Sequence, residues 1–131
     1  MTDYTGKFTL VSSENFDALL KELGVSDEII SQVKNNTQEL EISKDGNVYT
    51  SRTIQPNRTH EVKFELGKEF DETRPDGKTV KSLVVADGNR LIQTQKGGEK
   101  DLKIVREFNG NELRVTVTSG PVVSVRTYAR K

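Results

Sequence analysis

Turn-forming residues recur at short intervals along the chain after Glu39, and they constrain the fold more than any other feature. Glycine and asparagine accept the positive φ angles that tight hairpin turns require, and aspartate often precedes them. Because these turns connect consecutive segments over only a few residues, consecutive segments can pair only as antiparallel neighbours. The turn signals are Asp45-Gly46, Asp76-Gly77, Asp87-Gly88-Asn89, Gly97-Gly98, Asn109-Gly110 and Gly120-Pro121.

The segments between the turns alternate apolar and polar residues, as strands with one buried face do. Together with a segment near the N-terminus they give ten predicted strands, at residues 6–13, 39–44, 48–55, 59–66, 69–74, 79–87, 90–96, 101–109, 112–119 and 122–130. A long meander removes its exposed edges by closing into a barrel. The sequence therefore predicts an all-β fold, a ten-stranded antiparallel up-and-down barrel, in a single domain over residues 1–131.

Apolar residues at three- and four-residue spacing predict two short helices between the first and second strands. The first helix lies within residues 12–24, with Ser12 or Ser13 as its N-cap and Gly24 at its end, and the second spans 26–36. Helices this short are marginal in isolation, so we expect them to pack as a helical lid (about 14–36) over one end of the barrel. Their apolar stripes are Phe16, Leu19, Leu20 and Leu23, and Ile29, Ile30 and Val33.

The composition argues against several classes of function. The 131 residues include 20 basic and 20 acidic ones, so no surplus of positive charge favours nucleic acid or an anionic membrane. The chain contains no cysteine, and its single histidine and scattered acids show no metal-ligand spacing. The N-terminus lacks the pattern of a secretory signal, and no apolar run approaches the ~20 residues of a membrane span. We therefore expect a cytoplasmic monomer without a cofactor or a metal.

Arg106 lies on the apolar face of its predicted strand, together with Leu102, Ile104 and Phe108. A buried charge is costly unless it is paired. Three explanations are open: a protein carboxylate pairs with Arg106, its side chain snorkels to water, or its planar fork receives the carboxylate of a ligand. The alternation of residues alone does not decide between them.

In the last predicted strand the arginine lies on the polar face instead of the apolar one. One of its faces carries Ser124, Arg126 and Tyr128, and the other carries Val123, Val125 and Thr127. Simple patterning would bury the valines and leave Arg126 in water.

Four blocks of the sequence resemble the intracellular lipid-binding proteins, the family of fatty-acid-binding and cellular retinoid-binding proteins. The blocks are GKFTLVSSENFDALLKEL, FELGKEFDETRPDGKTVKS, IVREF and VRTYARK, and they follow one another in the family's order along the whole chain. The resemblance implies a β-clam barrel with a helix-turn-helix lid over an internal cavity. It also implies that Arg126 and Tyr128 point inward.

The resemblance further implies a set of ligand-binding residues. The family's carboxylate-binding positions fall on Arg106, Arg126 and Tyr128. The positions that would line the cavity are Phe16, Leu20, Leu23, Val25 and Val33 on the lid side, and Thr53, Asp76, Ile104, Val115 and Val117 along the ligand chain.

The sequence departs from the family pattern at four positions. Phe8 stands where the family has an early tryptophan, and Ser26 replaces a glycine between the helices. Asn57 stands where a gating phenylalanine is common, and His60 where threonine is common. A lone histidine on an apolar face is most often a neutral group with satisfied hydrogen bonds. These exchanges nevertheless make one part of the cavity more polar, so that a bulkier, kinked or oxidised ligand is conceivable.

The leading hypothesis is that the protein binds and carries a long-chain fatty acid inside the cell. The alternatives are a carrier of retinoic acid or another lipid acid, and a structural or interaction protein without a ligand. We do not expect an enzyme, because neither a cysteine nucleophile nor a serine motif beside His60 is present. Contact of the lid with an anionic membrane should be weak or transient, because the lid carries more acidic than basic residues.

Overall fold

The computed structural model describes residues 4–22, 24, 26–28, 30, 38–55, 58–73, 79–96 and 101–131. Within these ranges the chain forms the short helix α1, part of a second helical segment and ten strands. The elements are β1 (Gly6–Glu14), α1 (Phe16–Glu22), β2 (Glu39–Asp45), β3 (Val48–Gln55), β4 (Arg58–Glu65), β5 (Phe70–Thr73), β6 (Thr79–Asp87), β7 (Arg90–Lys96), β8 (Leu102–Asn109), β9 (Glu112–Ser119) and β10 (Val122–Arg130). The predicted all-β architecture with its ten strands is confirmed.

All ten strands belong to one antiparallel sheet in the order β4-β3-β2-β1-β10-β9-β8-β7-β6-β5. Each consecutive pair along the chain is joined by a hairpin, except that β1 reaches β2 through the lid segment and β4 and β5 end the sheet order. The first strand pairs with the last, Phe8 opposite Arg130 and Leu10 opposite Tyr128, which brings the two ends of the chain together. The result is a nearly closed barrel.

The opening of the barrel lies between β4 and β5, where the sheet order ends. The rings of Phe64 in β4 and Phe70 in β5 stack there with centroids 6.3 Å apart. Gly67, in the connection between these strands, donates its backbone N–H to Val84 of β6 at 2.8 Å. Side-chain packing and this hydrogen bond therefore help to link the two halves where strand pairing does not.

The predicted hairpin turns have the expected backbone geometry. Gly46, between β2 and β3, has a φ of 62°, and Gly110, between β8 and β9, has a φ of 60°. Both values lie in the left-handed region that glycine adopts without steric cost. The predicted turns at Asp76-Gly77 and Gly97-Gly98 lie outside the described residues.

The predicted N-cap of the first helix is wrong. Ser12 and Ser13 continue β1 and pair with Thr127 and Arg126 of β10, so sheet pairing takes up the backbone that a cap would need. The helix begins after Asn15, which has a φ of 58° and whose carbonyl oxygen accepts the N–H of Leu19 at 3.0 Å. Asparagine is one of the few side chains that tolerate this conformation.

Part of the predicted second helix is described. Residues 27, 28 and 30 are helical, and the Ile30 N–H donates to the carbonyl oxygen of Ser26 at 3.0 Å. The remainder of residues 26–36 lies outside the described part of the chain. None of the helices in the described ranges is long and apolar enough to cross a membrane.

One apolar cluster fills part of the barrel and contains many of its aromatic rings. Phe8, Leu91 and Leu113 have no exposed surface, and the Phe8 ring meets the Phe108 ring edge-on at 6.1 Å. The Tyr49 and Phe64 rings stack with centroids 5.5 Å apart. Phe8 is thus part of the apolar core.

We expect Phe8→Ala to lower the free energy of unfolding by about 3–5 kcal/mol, because it leaves a cavity in a closely packed cluster. Val11→Ala is the matched control in the same strand. Val11 is 61% exposed, so its truncation should change stability by less than about 0.5 kcal/mol. Urea unfolding followed by circular dichroism measures both values, and equal effects would contradict this assignment of the core.

Candidate ligand-binding site

The interior of the barrel contains a polar region besides the apolar cluster. Strand β10 turns its polar face inward: Ser124, Arg126 and Tyr128 are 0%, 7% and 4% exposed, whereas Val123 is 43% exposed. Simple patterning of this strand is therefore misleading, and the orientation implied by the family resemblance is the one found. The tight pairing of β10 with both β1 and β9 holds this register.

Gln38, which directly precedes β2, joins Arg126 to Tyr128. Arg126 donates from Nη1 to Oε1 of Gln38 at 2.9 Å, and Gln38 donates from Nε2 to the Tyr128 hydroxyl oxygen at 3.1 Å. Gln38 is itself 7% exposed, and its backbone oxygen accepts the N–H of Leu10 in β1. The glutamine is thus anchored to the sheet next to the two residues that it connects.

Helix α1 covers the Arg126 guanidinium. The Arg126 Cζ lies 3.9 Å from the centre of the Phe16 ring, close enough for a cation–π contact, which is worth about 2 kcal/mol when both groups are shielded from water. Asn15, which starts the helix, also donates from Nδ2 to the Val123 carbonyl oxygen of β10 at 3.3 Å. Phe16 was expected to line the lid side of the cavity, and its described contact is with the arginine.

Burial changes the protonation equilibria of this group. It lowers the pKa of Arg126 because the charged form loses water, and the neighbouring Tyr128 partly opposes that effect. Burial raises the pKa of Tyr128, against the attraction of Arg126 and Arg106 for the phenolate. The phenol therefore stays protonated at neutral pH.

A second polar network surrounds Arg106. Its Nη1 donates to Oε1 of Gln93 at 2.8 Å, and Nε2 of Gln93 donates to Oε1 of Glu72 at 2.7 Å. The same carboxylate oxygen accepts the Ser82 hydroxyl at 2.8 Å and Nε2 of Gln95 at 3.0 Å. Glu72 on β5 thereby connects to three side chains on the neighbouring strands β6 and β7.

Arg106 is partly buried, and its guanidinium donates to Gln93 on the neighbouring strand. Burial lowers its pKa, and the charge of Glu72 is the largest influence opposing that shift. Of the three explanations for an inward Arg106, the contacts favour pairing with a protein carboxylate, with Gln93 as the bridge.

The two arginines differ in their electrostatic surroundings. The positive charge of Arg106 is countered by Glu72, whereas Tyr128, a neutral phenol, is the one titratable side chain found to influence the pKa of Arg126 in the described part of the chain. Nε of Arg126 is also buried without a hydrogen-bond partner among the described residues. Arg126 therefore combines an uncompensated charge with an unused donor, an arrangement suited to an anionic acceptor.

The remaining predicted cavity residues divide into two groups. Leu20 in α1, Thr53, Ile104, Val115 and Val117 are partly buried, and Val115 packs against the apolar cluster. Their strand positions share faces with buried neighbours such as Leu102, Phe108 and Leu113, so the strand members of this group point inward. Leu23, Val25, Val33 and Asp76, like Asn57, lie outside the described residues.

Three further buried polar side-chain atoms have no hydrogen-bond partner in the described ranges. They are Nε2 of His60 on β4, Oε1 of Gln95 on β7 and Oγ of Ser119 on β9. The expectation that His60 is fully satisfied is thus not met by its Nε2 atom. These atoms add polar character to the interior of the barrel.

The sequence patterns did not predict Gln38, Glu72, Gln93 or Gln95 as site residues. Each of them lies in phase with inward-facing apolar residues: Gln38, just before β2, with Leu40 and Ile42, Glu72 with the partly buried Phe70, and the other two with the buried Leu91. A polar residue in phase with apolar inward positions is the signal that would have found them.

Comparison with known proteins agrees with the fold. Residues 5–131 match the model of the lipocalin / cytosolic fatty-acid binding protein family. The chain belongs to this family. It is 44% identical over 131 residues to a fatty acid-binding protein of Lepidoglyphus destructor, with 99% of each chain covered.

Solved structures of the family superpose closely on the barrel. The fatty acid-binding protein from brain tissue of Drosophila melanogaster has a TM-score of 0.93 and 43% identity, with 97% of this chain and 99% of that chain covered. A Schistosoma mansoni fatty acid binding protein in complex with arachidonic acid has a TM-score of 0.92 and 36% identity, with 98% and 96% covered.

We expect Glu72→Gln to lower the free energy of unfolding by about 2–3 kcal/mol, because it leaves the enclosed charge of Arg106 without its counter-charge. The double variant Glu72→Gln/Arg106→Gln should lose less than the sum of its single variants, since removing both charges removes the imbalance. Glu69→Gln, at an exposed position just before β5, is the control and should be nearly neutral. Denaturant unfolding of the four proteins gives the coupling energy, and strict additivity would show that the two charges do not interact.

Proposed function

We propose that this protein binds a long-chain fatty acid inside its barrel, with the carboxylate on Arg126 and Tyr128, and carries it within the cell. The observation that carries the proposal is the state of Arg126. It is a buried cation, it has no counter-charge among the described residues, and one of its donors is unpaired. An ionised carboxylate would supply both the missing charge and the missing acceptor.

The neighbouring groups support this assignment. Tyr128 lies on the same face of β10 as Arg126 and is linked to it through Gln38, so one head group can reach both residues. The apolar side chains of the interior would shield the acyl chain from water, at about 0.8 kcal/mol for each buried methylene. The relatives named as fatty acid-binding proteins, including one in complex with arachidonic acid, support the same class of ligand.

The three residues first expected to bind the carboxylate would then have unequal roles. Arg126 and Tyr128 would contact it, whereas Arg106 is engaged through Gln93 with Glu72 and would act mainly through its field. Arg106 would thus support the site without being its principal donor.

The lid is coupled to the proposed head-group site. Phe16 of α1 packs directly on the Arg126 guanidinium, so movement of this helix would uncover the arginine. A short helix held by few contacts opens at a low free-energy cost, which suits uptake and release of a ligand. No covalent step is needed, and the protein would act as a carrier rather than an enzyme.

The direct test is the affinity of Arg126→Gln for oleate, measured by calorimetry or by displacement of a fluorescent lipid probe. Hydrogen bonds to charged groups are worth about 1.5–3 kcal/mol, so binding should weaken about 10- to 100-fold. Arg114→Gln is the matched control. Arg114 lies on the adjacent strand β9 with its side chain 50% exposed, and its loss should leave the affinity unchanged.

Two results would contradict the proposal. If a folded Arg126→Gln variant bound oleate with wild-type affinity, the ligand carboxylate would not be bound at Arg126. Failure of the wild-type chain to bind oleate, together with an absence of lipid in an organic extract, would favour a structural role. Competition with retinoic acid separates the two classes of lipid acid.

A further inference from the structure

Gln38 contacts both proposed head-group residues, and its position before β2 makes it an integral part of the barrel wall. It accepts from Nη1 of Arg126 at 2.9 Å and donates to the Tyr128 oxygen at 3.1 Å. Side-chain amides in proteins can be reversed end for end without a change of shape. The orientation of this one is set by its chemical surroundings.

The arginine determines which end of the amide faces it. A guanidinium has donors and no acceptor, so its partner on Gln38 must be the carbonyl oxygen Oε1. The NH2 group must then face Tyr128, and because NH2 only donates, the phenol oxygen must accept. A hydroxyl that accepts from Gln38 keeps its own hydrogen for a different partner.

The donors left for a ligand include Nε of Arg126, which has no acceptor among the described residues, and the O–H of Tyr128, which is 4% exposed. An ionised carboxylate offers acceptors alone and can satisfy both. An alcohol or a primary amide of the same chain length would bring hydrogens of its own into a site made of donors, and an unpaired buried donor is costly.

We propose that Gln38 sets the direction of the hydrogen bonds in the head-group site, so that Arg126 and Tyr128 both donate to the ligand and the site selects ionised acids over alcohols and amides of the same chain. This inference rests on the proposed function and assigns Gln38 as a positioning and specificity-determining residue.

The network around Arg106 contains the same pairing of an arginine with a glutamine, and a protein carboxylate completes it. Arg106 donates to Oε1 of Gln93, and Nε2 of Gln93 donates to Glu72, so this glutamine is oriented in the same way. Its chain of bonds ends on a carboxylate, which accepts and carries the negative charge. The chain through Gln38 ends on a phenol that still has a hydrogen to donate. A ligand carboxylate would complete it, as Glu72 completes the other.

Gln38→Glu is the most informative variant. A carboxylate at this position would accept from Arg126 and from the Tyr128 hydroxyl, and would thus occupy the donors that the ligand needs. We expect the affinity for oleate to fall about 100-fold or more, whereas the affinity for oleyl alcohol should change only a few-fold. Ser43→Glu, which adds the same charge at an exposed position of β2, should leave both affinities unchanged.

Gln38→Leu tests the direction of the bonds without adding a charge. With the amide removed, the Tyr128 hydroxyl is free to accept from a ligand as well as to donate. We expect the preference of the wild type for oleate over oleyl alcohol and oleamide, about tenfold or more, to shrink about threefold or more. Thermal unfolding confirms that each variant is folded, and this second variant keeps the test valid if the glutamate variant is not.

Carboxyl-labelled oleate adds a readout that a purely structural role would not move. Its 13C resonance followed against pH should show the bound head group remaining ionised to lower pH in the wild type than in Gln38→Glu. Unchanged oleate-to-alcohol ratios in both Gln38 variants, with binding still lost in Arg126→Gln, would overturn this inference alone. Absence of oleate binding by the wild type would overturn the proposed function and this inference with it.

Discussion

The enclosed guanidinium of Arg126 is the group on which the arrangement of the site depends. Strand β10 cannot turn this side chain to solvent without also exposing Ser124 and Tyr128, because alternate residues share a face. The surrounding elements accommodate the charge with neutral groups: the amide of Gln38, the phenol of Tyr128 and the ring of Phe16. Each contact lowers the cost of burial, and none of them cancels the charge.

The two inward-facing arginines show how similar contacts lead to different properties. Each arginine donates to the side-chain oxygen of a glutamine, and the side-chain nitrogen of that glutamine donates to a second oxygen. Where that oxygen belongs to Glu72, charge and hydrogen bonding are both balanced within the protein. Where it belongs to Tyr128, the positive charge stays uncompensated among the described residues. The proposed binding of a fatty acid follows from this asymmetry.

Local patterns predicted most of the fold because hairpin turns and strand alternation are short-range properties. The strand boundaries agree with the structure to within one or two residues, and the positive φ angles occur at glycines such as Gly46 and Gly110. The predicted cap at Ser12 or Ser13 failed for a long-range reason. These residues pair with β10, more than a hundred positions later in the chain, and that pairing outweighs a local capping preference.

The site was predictable only in part. The apolar neighbours of Arg106 on its strand predicted its inward orientation correctly. The valines of the last strand predicted an outward orientation for Arg126, which is wrong. The family resemblance corrected the prediction for Arg126, but neither the strand patterns nor the resemblance identified Gln38 or Glu72. Both are polar residues in phase with buried positions, and a pattern search that scores only apolar residues overlooks them.

The sequence by itself determined the order of strands and turns, the antiparallel topology and the presence of polar side chains on inward faces. These properties depend on neighbours in the chain and on the alternation of the strand. Tertiary structure alone decided which polar groups meet. Closing the sheet brings Gln38 to Arg126 and Tyr128 across some ninety residues, and it leaves Glu72 beside Gln93. Hydrogen-bond direction and charge balance depend on such distances, which the order of residues does not contain.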